Sequence, residues 1–140
     1  MPKPPLPDDV AELLRQPNPA VVAVLMPSGE PMSVATWYLV EDDGRILLNM
    51  DAERARVKWM RERPHVSLTA LKKGEWYTHV SVRGPVVQWE DDVTKALADI
   101  DRLAVHYTGN QYRNRTRPRV SAWMEVEHWH GWGAGKATSA

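Results

Sequence analysis

Three cations, Arg54, Arg56 and Lys58, follow one another closely just after an apolar run that ends at Leu48. The pattern predicts that a helix begins there. A helix N-terminus carries partial positive charge, so cations at this position are unfavourable unless an anion compensates them. Phosphate is the commonest anion bound at such a site, and arginine can hold it through two donors. The segment therefore predicts phosphate binding.

A second interpretation of this segment stays open. Arg54 and Lys58 share a helix face, whereas Arg56 joins them only if the first turn is still forming. The segment can equally be a solvated helix with internal ion pairs, such as Lys58 with Glu62. Neither a P-loop nor a glycine-rich dinucleotide fingerprint precedes it, so the residues name no particular phosphate ligand.

Polar side chains also gather near the middle and the end of the chain. In the strand predicted over residues 76–83, the polar face consists of Tyr77, His79, Ser81 and Arg83. Such a face is either half-exposed or lines a ligand pocket. His128 and His130 would share one side of a later strand and could bind a metal with His79 as third ligand. We favour hydrogen-bonded histidines and predict no metal site.

The composition excludes several classes of protein. The chain has 140 residues with 18 basic and 18 acidic side chains, which argues against a general nucleic-acid binder. It has no cysteine, so disulfides and thiolate chemistry are excluded. We find no signal peptide and no apolar run of membrane-spanning length. We therefore expect a cytoplasmic protein with no nucleic-acid or membrane partner.

The elements that position these residues follow from the apolar runs and turn signals. One domain is predicted over residues 1–140, with residues 1–7 and 133–140 as mobile ends. Predicted strands cover 20–26, 32–40, 45–50, 65–71, 76–83, 86–89 and 120–129, with helices near 8–14, 52–63 and 92–107. Gly84 and Pro85 predict a break between two strands, and a basic loop carries Arg113, Arg115, Arg117 and Arg119. Short turns between strands favour an antiparallel barrel with helices outside.

The order of these motifs resembles a known family. The features are segments 6–10, 25–32, 36–38 and 49–51, the cations at 54, 56 and 58, the runs 63–68 and 82–86, and the late Leu103, Tyr107, Thr108 and Gly109. Together they resemble the pyridoxamine 5′-phosphate oxidase-like split β-barrels, in particular the small deazaflavin-dependent branch. The resemblance implies a mainly β (α+β) fold, an antiparallel six- to seven-stranded split β-barrel with flanking helices. It also implies a homodimer with cofactor sites at the subunit interface.

The same resemblance implies which residues bind the cofactor. Arg54 and Arg56 would hold its phosphate with support from Lys58, and Trp129 would lie near the cofactor of the partner subunit. The strand that passes the ring would supply Ser33, Val34, Ala35 and Thr36, and the ribityl side would be bordered by Asn49, Met50 and Asp51. The residues after Trp129 depart from true pyridoxamine phosphate oxidases, which argues against oxidation of pyridoxamine phosphate.

The implied function is an oxidoreductase that transfers a hydride between bound coenzyme F-420, a deazaflavin, and a small organic substrate. His79 or Tyr77 would supply a proton where the reduced product needs one. One alternative is an FMN-dependent enzyme of the same fold. A non-catalytic flavin or deazaflavin carrier and a structural dimer without cofactor are the others.

Overall fold

The computed structural model describes residues 2–133, which form eight strands and three helices. The strands are β1 Ala20–Leu25, β2 Pro31–Thr36, β3 Leu39–Val40, β4 Ile46–Asp51, β5 His65–Leu71, β6 His79–Glu90, β7 Arg119–Met124 and β8 His128–Trp132, and the helices are α1 Asp8–Arg15, α2 Ala55–Glu62 and α3 Val93–Thr108. All strand pairings are antiparallel. The predicted antiparallel fold with flanking helices is confirmed, with eight strands instead of six or seven.

The strands pair in the order β2-β1-β5-β6-β7-β4-β3, and β8 pairs with β6. The long strand β6 is common to both halves of the barrel, because its first part pairs with β5 and β8 and its last part pairs with β7. Alternate side chains of the strands point inward and form one buried core, which includes Ile46, Leu68, Val80, Val82 and Met124. The result is a split β-barrel.

The predicted break at Gly84 and Pro85 is wrong, because β6 continues through both residues and changes partner there. The backbone at Glu125 passes very close to Gly84 here: a Cβ on Gly84 would lie 1.9 Å from the carbonyl oxygen of Glu125. The same crossing divides the predicted strand 120–129 into β7 and β8. Glycine is needed here for close backbone approach, and it does not end the strand.

The predicted strand 32–40 is also two strands, because Tyr38 turns into the core. Its hydroxyl donates to the Leu14 carbonyl oxygen at 2.6 Å and accepts from Asn18 Nδ2 at 3.0 Å. Burial raises the pKa of Tyr38 to about 12. The strands on either side of Tyr38 then join different halves of the barrel, since β2 pairs with β1 and β3 pairs with β4. The segment 32–40, predicted as one strand, therefore belongs to two different parts of the barrel.

Residues 2–7, part of a predicted mobile end, lie beside β8. The backbone N–H of Trp129 donates to the Pro2 carbonyl oxygen at 3.0 Å, and the indole N–H donates to the Lys3 carbonyl oxygen at 3.4 Å. Residues 134–140 of the other predicted end lie outside the described residues. Within residues 2–133, no helix is long and apolar enough to cross a membrane.

Candidate cofactor-binding site

Two elements, α2 and β7, bring arginines to one end of the barrel. Helix α2 begins at Ala55, so Arg54 is its extended N-cap residue and Arg56 lies in its first turn, which contains no acidic residue. Strand β4 ends at Asp51, and its register places this residue opposite Arg119, the first residue of β7. Arg119, from far along the chain, therefore lies beside the cationic helix start that the sequence predicted.

A cavity of about 710 Å³ lies beside this cluster. It is bounded by the start of β1, the end of β2, the end of α3 and the loop before β7, and its lining includes Ala35, Thr36, Trp37, Asn49, Arg56, Leu71, Lys73, Tyr107, Tyr112 and Arg119. A second cavity of about 570 Å³ includes Asp51, Arg54 and Arg117 in its lining. Tyr112 and Arg119 line both cavities, so the two are neighbours.

Two arginines of this site, Arg54 and Arg56, lack ion-pair partners in the described range 2–133. Burial lowers the pKa of Arg56, and repulsion from Arg54 and Arg119 lowers it further. Burial is also the main cause that lowers the pKa of Arg119. Half-buried guanidinium groups that repel one another favour a bound anion.

The nearest carboxylates are already engaged elsewhere. Arg117 donates to Asp51, and it also reaches Glu53 at 3.2 Å. The hydrogen bond from Arg117 is the largest cause that lowers the pKa of Asp51 to about 2. The Asp51 carboxylate also accepts the backbone N–H of Glu53 at 2.9 Å. Its hydrogen bonds go to Arg117 and to the backbone, which leaves the excess positive charge of the cluster facing the cavities.

Aromatic rings form one wall of the larger cavity. Trp37 stacks on Tyr107 with ring centroids 5.3 Å apart and an interplanar angle of 12°. The Tyr112 ring meets Trp37 edge-on at 6.3 Å. Flat apolar faces of this kind pack well against a planar ligand. Arginines beside an aromatic wall suit a ligand with a planar ring and an anionic tail.

The structure brings six of the predicted cofactor-binding residues to these cavities. Ala35, Thr36, Asn49 and Arg56 line the larger one, and Asp51 and Arg54 line the smaller one. The sequence did not identify Trp37, Tyr107, Tyr112 and Arg119 as site residues. Two of its features pointed toward them: the basic loop that ends at Arg119 and the excess of Trp and Tyr over Phe, with seven Trp, four Tyr and no Phe.

Five predicted residues lie away from the lining of both cavities. Ser33 and Val34 lie earlier on β2. Met50 and Trp129 are core residues, each with 4% of its surface exposed. The Lys58 side chain is 80% exposed and lies 4.0 Å from Glu62, the internal pair that the alternative interpretation expected. Lys58 points to solvent because Arg56, two residues earlier, takes the helix side that faces the cavity.

The two candidate proton donors lie outside both cavities. Strand β6 begins at His79, so Tyr77 belongs to the preceding turn and does not share a strand face with His79. The His79 ring nitrogen Nδ1 lies 2.7 Å from the Tyr77 carbonyl oxygen. His79 pairs across β5 and β6 with Leu71, which lines the larger cavity. His79 is thus one strand away from a lining residue, and the Tyr77 ring lies against His79 and Trp132.

The histidines of β8 form no metal cluster with their neighbours. His130 and His79 approach with ring centroids 6.1 Å apart. Burial, and then the proximity of His79, lower the pKa of His130. Between residues 2 and 133, no three His, Cys, Asp or Glu side chains come close enough together to hold a metal ion.

A family model described as pyridoxamine 5′-phosphate oxidase matches residues 6–133. The chain belongs to this family. Its members bind FMN and include oxidoreductases. The matched range contains every residue that lines the two cavities. No curated protein sequence matches the chain.

Several solved structures share the fold of this family member. An "F420 Reductase" is 21% identical with a TM-score of 0.77, and the match covers 89% of this chain and 98% of that one. A putative pyridoxamine 5′-phosphate oxidase from Lactobacillus delbrueckii is 15% identical with a TM-score of 0.63 and 89% and 92% coverage. A heme binding protein from Mycobacterium smegmatis is 14% identical with a TM-score of 0.68 and 100% and 59% coverage. At these identities the likeness establishes the fold alone.

Proposed function

We propose that the protein is an oxidoreductase that uses coenzyme F-420 to transfer a hydride to or from a small organic substrate. The observation that carries this proposal is the group of arginines without counter-ions beside an aromatic cavity. Arg54 and Arg56 would bind the phosphate of the cofactor, and the cavity wall formed by Trp37 and Tyr107 would bind its planar part. We propose F-420 in preference to FMN because the sequence motifs resemble the deazaflavin-dependent branch, and an F420 reductase is among the solved structures that share this fold.

When bound, the cofactor supplies the hydride-carrying ring, and the protein supplies binding, orientation and electrostatics. Ala35 and Thr36 line the same cavity and would orient the ring along β2. The Thr36 hydroxyl donates to the Trp37 carbonyl oxygen at 2.8 Å, so this hydroxyl is engaged within the protein. His79 or Tyr77 would supply a proton to the reduced product.

Titration of the purified protein with coenzyme F-420 and with FMN tests this function. We expect saturable binding of F-420, tighter than that of FMN, and oxidation of reduced F-420 by members of a panel of enones and quinones. Tighter binding of FMN would instead assign the FMN-dependent alternative. Binding without turnover of any panel member would favour a carrier, and binding of neither cofactor would contradict the proposal.

The same assay tests whether His79 or Tyr77 acts as the proton donor. Replacement of His79 or Tyr77 by Phe should reduce turnover and leave cofactor affinity intact, since neither residue lines the cavity. Unchanged turnover in both variants would remove the proton-donor role and leave the cofactor assignment in place.

The sheet supplies a surface for the homodimer that we propose. Across β2, β1, β5 and β6, the paired residues Ala35, Val21, Thr69 and Ser81 are exposed or partly exposed and mostly small. Small side chains allow close approach of a second sheet. Val21, which is 37% exposed, and Ala35 also line the larger cavity. A second copy of the chain on this face would therefore cover the cavity and exclude water from it.

Sedimentation equilibrium tests this dimer. We expect the wild-type protein to have twice the mass of the 15.9 kDa chain, and Val21→Glu to yield monomers with weakened cofactor binding. Val105→Glu is the matched control, because Val105 is 51% exposed on α3 and does not line the cavity. A monomeric wild-type protein that binds cofactor with full affinity would contradict the dimer and leave the cofactor assignment intact.

A further inference from the structure

Arg119 differs from Arg115 and Arg117 in the loop that precedes it. Arg115 pairs with Asp101 at 2.5 Å, and Arg117 pairs with Asp51 and Glu53. Arg119 forms no ion pair with any residue from 2 to 133. Its side chain donates to two neutral acceptors, the side-chain oxygen of Asn49 at 2.6 Å and the hydroxyl of Tyr112 at 3.3 Å. It is thus a half-buried cation whose side-chain hydrogen bonds go to neutral groups alone, although Asp51 and Arg54 lie near enough to act on its charge.

The position of its guanidinium group is fixed from both sides. The Tyr112 ring lies beneath it, with the guanidinium carbon 4.8 Å from the ring centroid. The Nε and Nη1 atoms are engaged with Asn49 and Tyr112, whereas Nη2 has no hydrogen-bond partner within residues 2–133. Because Arg119 lines both cavities, this remaining donor group is available at the place where they meet.

The other hydrogen bonds of Asn49 require its amide oxygen, and not its NH₂ group, to face Arg119. Its Nδ2 donates to the Ala96 carbonyl oxygen at 2.9 Å and to Ser121 Oγ at 3.0 Å. The Ser121 hydroxyl then donates to Asp99 at 2.7 Å, so it must accept from Asn49. A flipped amide would turn an NH₂ group toward a guanidinium, which has no acceptor. Asn49 is 92% buried, since 8% of its surface is exposed, and it therefore acts as a rigid acceptor for Arg119.

We propose that Arg119 is a third anion-binding residue of the site and that Asn49 is the positioning residue that orients it. The anion is the phosphate of the bound cofactor, shared with Arg56 across the junction of the two cavities. This inference rests on the proposed cofactor function. Arg119 takes the place of the exposed Lys58 as the third cation of the site. Asn49 would orient Arg119 and would not bind the ligand directly, since the side-chain donors of Asn49 are used within the protein.

Binding of F-420 and FMN, each compared with its phosphate-free counterpart, tests this inference. We expect Arg119→Gln to weaken binding of the phosphorylated cofactor by about tenfold or more, the value of one charge-assisted hydrogen bond, and to leave phosphate-free affinity nearly unchanged. Arg119→Lys should retain part of the affinity, since one ammonium cannot bond Asn49 and phosphate in the same fork geometry. Asn49→Ala should lose phosphate discrimination in the same direction and by less.

Arg113→Gln is the matched control: it removes the same charge from the same loop, at an exposed residue that lines neither cavity. Equal weakening of both cofactor forms by Arg119→Gln would assign it a structural role and overturn the inference, as would no change in either. If Arg54→Ala with Arg56→Ala abolishes phosphate discrimination while Arg119→Gln does not, the proposed function stands and the inference falls. A wild-type protein that binds neither cofactor would refute both.

Discussion

Simultaneous replacement of Arg54 and Arg56 by Ala should weaken binding of the phosphorylated cofactor more than tenfold. Each charge-assisted hydrogen bond to the phosphate contributes about 1.5–3 kcal/mol, and the variant loses those of both residues. The effect should be confined to the phosphate, so the phosphate-free counterpart should bind with nearly wild-type affinity. Isothermal titration or fluorescence quenching measures both values.

The structure gives a way to exclude loss of the fold as the cause of that result. Arg56 is repelled by Arg54 and Arg119, so removal of two charges relieves repulsion in the free protein. We therefore expect the double variant, without ligand, to melt at the wild-type temperature or above it. Lys58→Ala is the control for charge, because its side chain is 80% exposed and lines neither cavity. Intact phosphate discrimination in the double variant would overturn the phosphate assignment.

Replacement of Gly84 by Ala should lower the free energy of unfolding by about 3 kcal/mol or more, the upper range for overpacking. The added Cβ would lie 1.9 Å from the carbonyl oxygen and 2.9 Å from the carbonyl carbon of Glu125. These are backbone atoms, so no side-chain rotation relieves the contact. Two hydrogen bonds hold the crossing strands together, from Glu125 N–H to Pro85 and from Glu127 N–H to Arg83, each at 2.9 Å.

Urea unfolding measures this change. Val87→Ala is the matched control, because Val87 lies three residues along the same strand and is 46% exposed. We expect it to change the free energy of unfolding by about 0.5 kcal/mol or less, as is usual for surface positions. A Gly84→Ala variant as stable as Val87→Ala would show that the two halves of the barrel can separate at this crossing without cost.

The local elements could be predicted because their signals are short-range. Strand β1 follows from a continuous apolar run, and the start of α3 follows from Asp92, whose side chain accepts the Lys95 N–H at 3.0 Å. The cationic start of α2 was likewise readable, since helix onset and charge lie within a few residues of one another. Six of the eleven predicted cofactor-binding residues, those at the end of β2, the end of β4 and the start of α2, line the two cavities.

What the sequence alone determined is thus the antiparallel barrel with its helices and the cationic start of α2 at Arg54 and Arg56. The tertiary structure decided which residues complete that site. Arg119 donates to Asn49, which is 70 residues away in the sequence, and Trp37, which follows β2, stacks on Tyr107 of α3. Such contacts depend on which strands become neighbours, here β4 with β7, and on the crossing at Gly84 that divides the barrel. Periodicity and capping report on a few residues at a time, so they cannot carry that information.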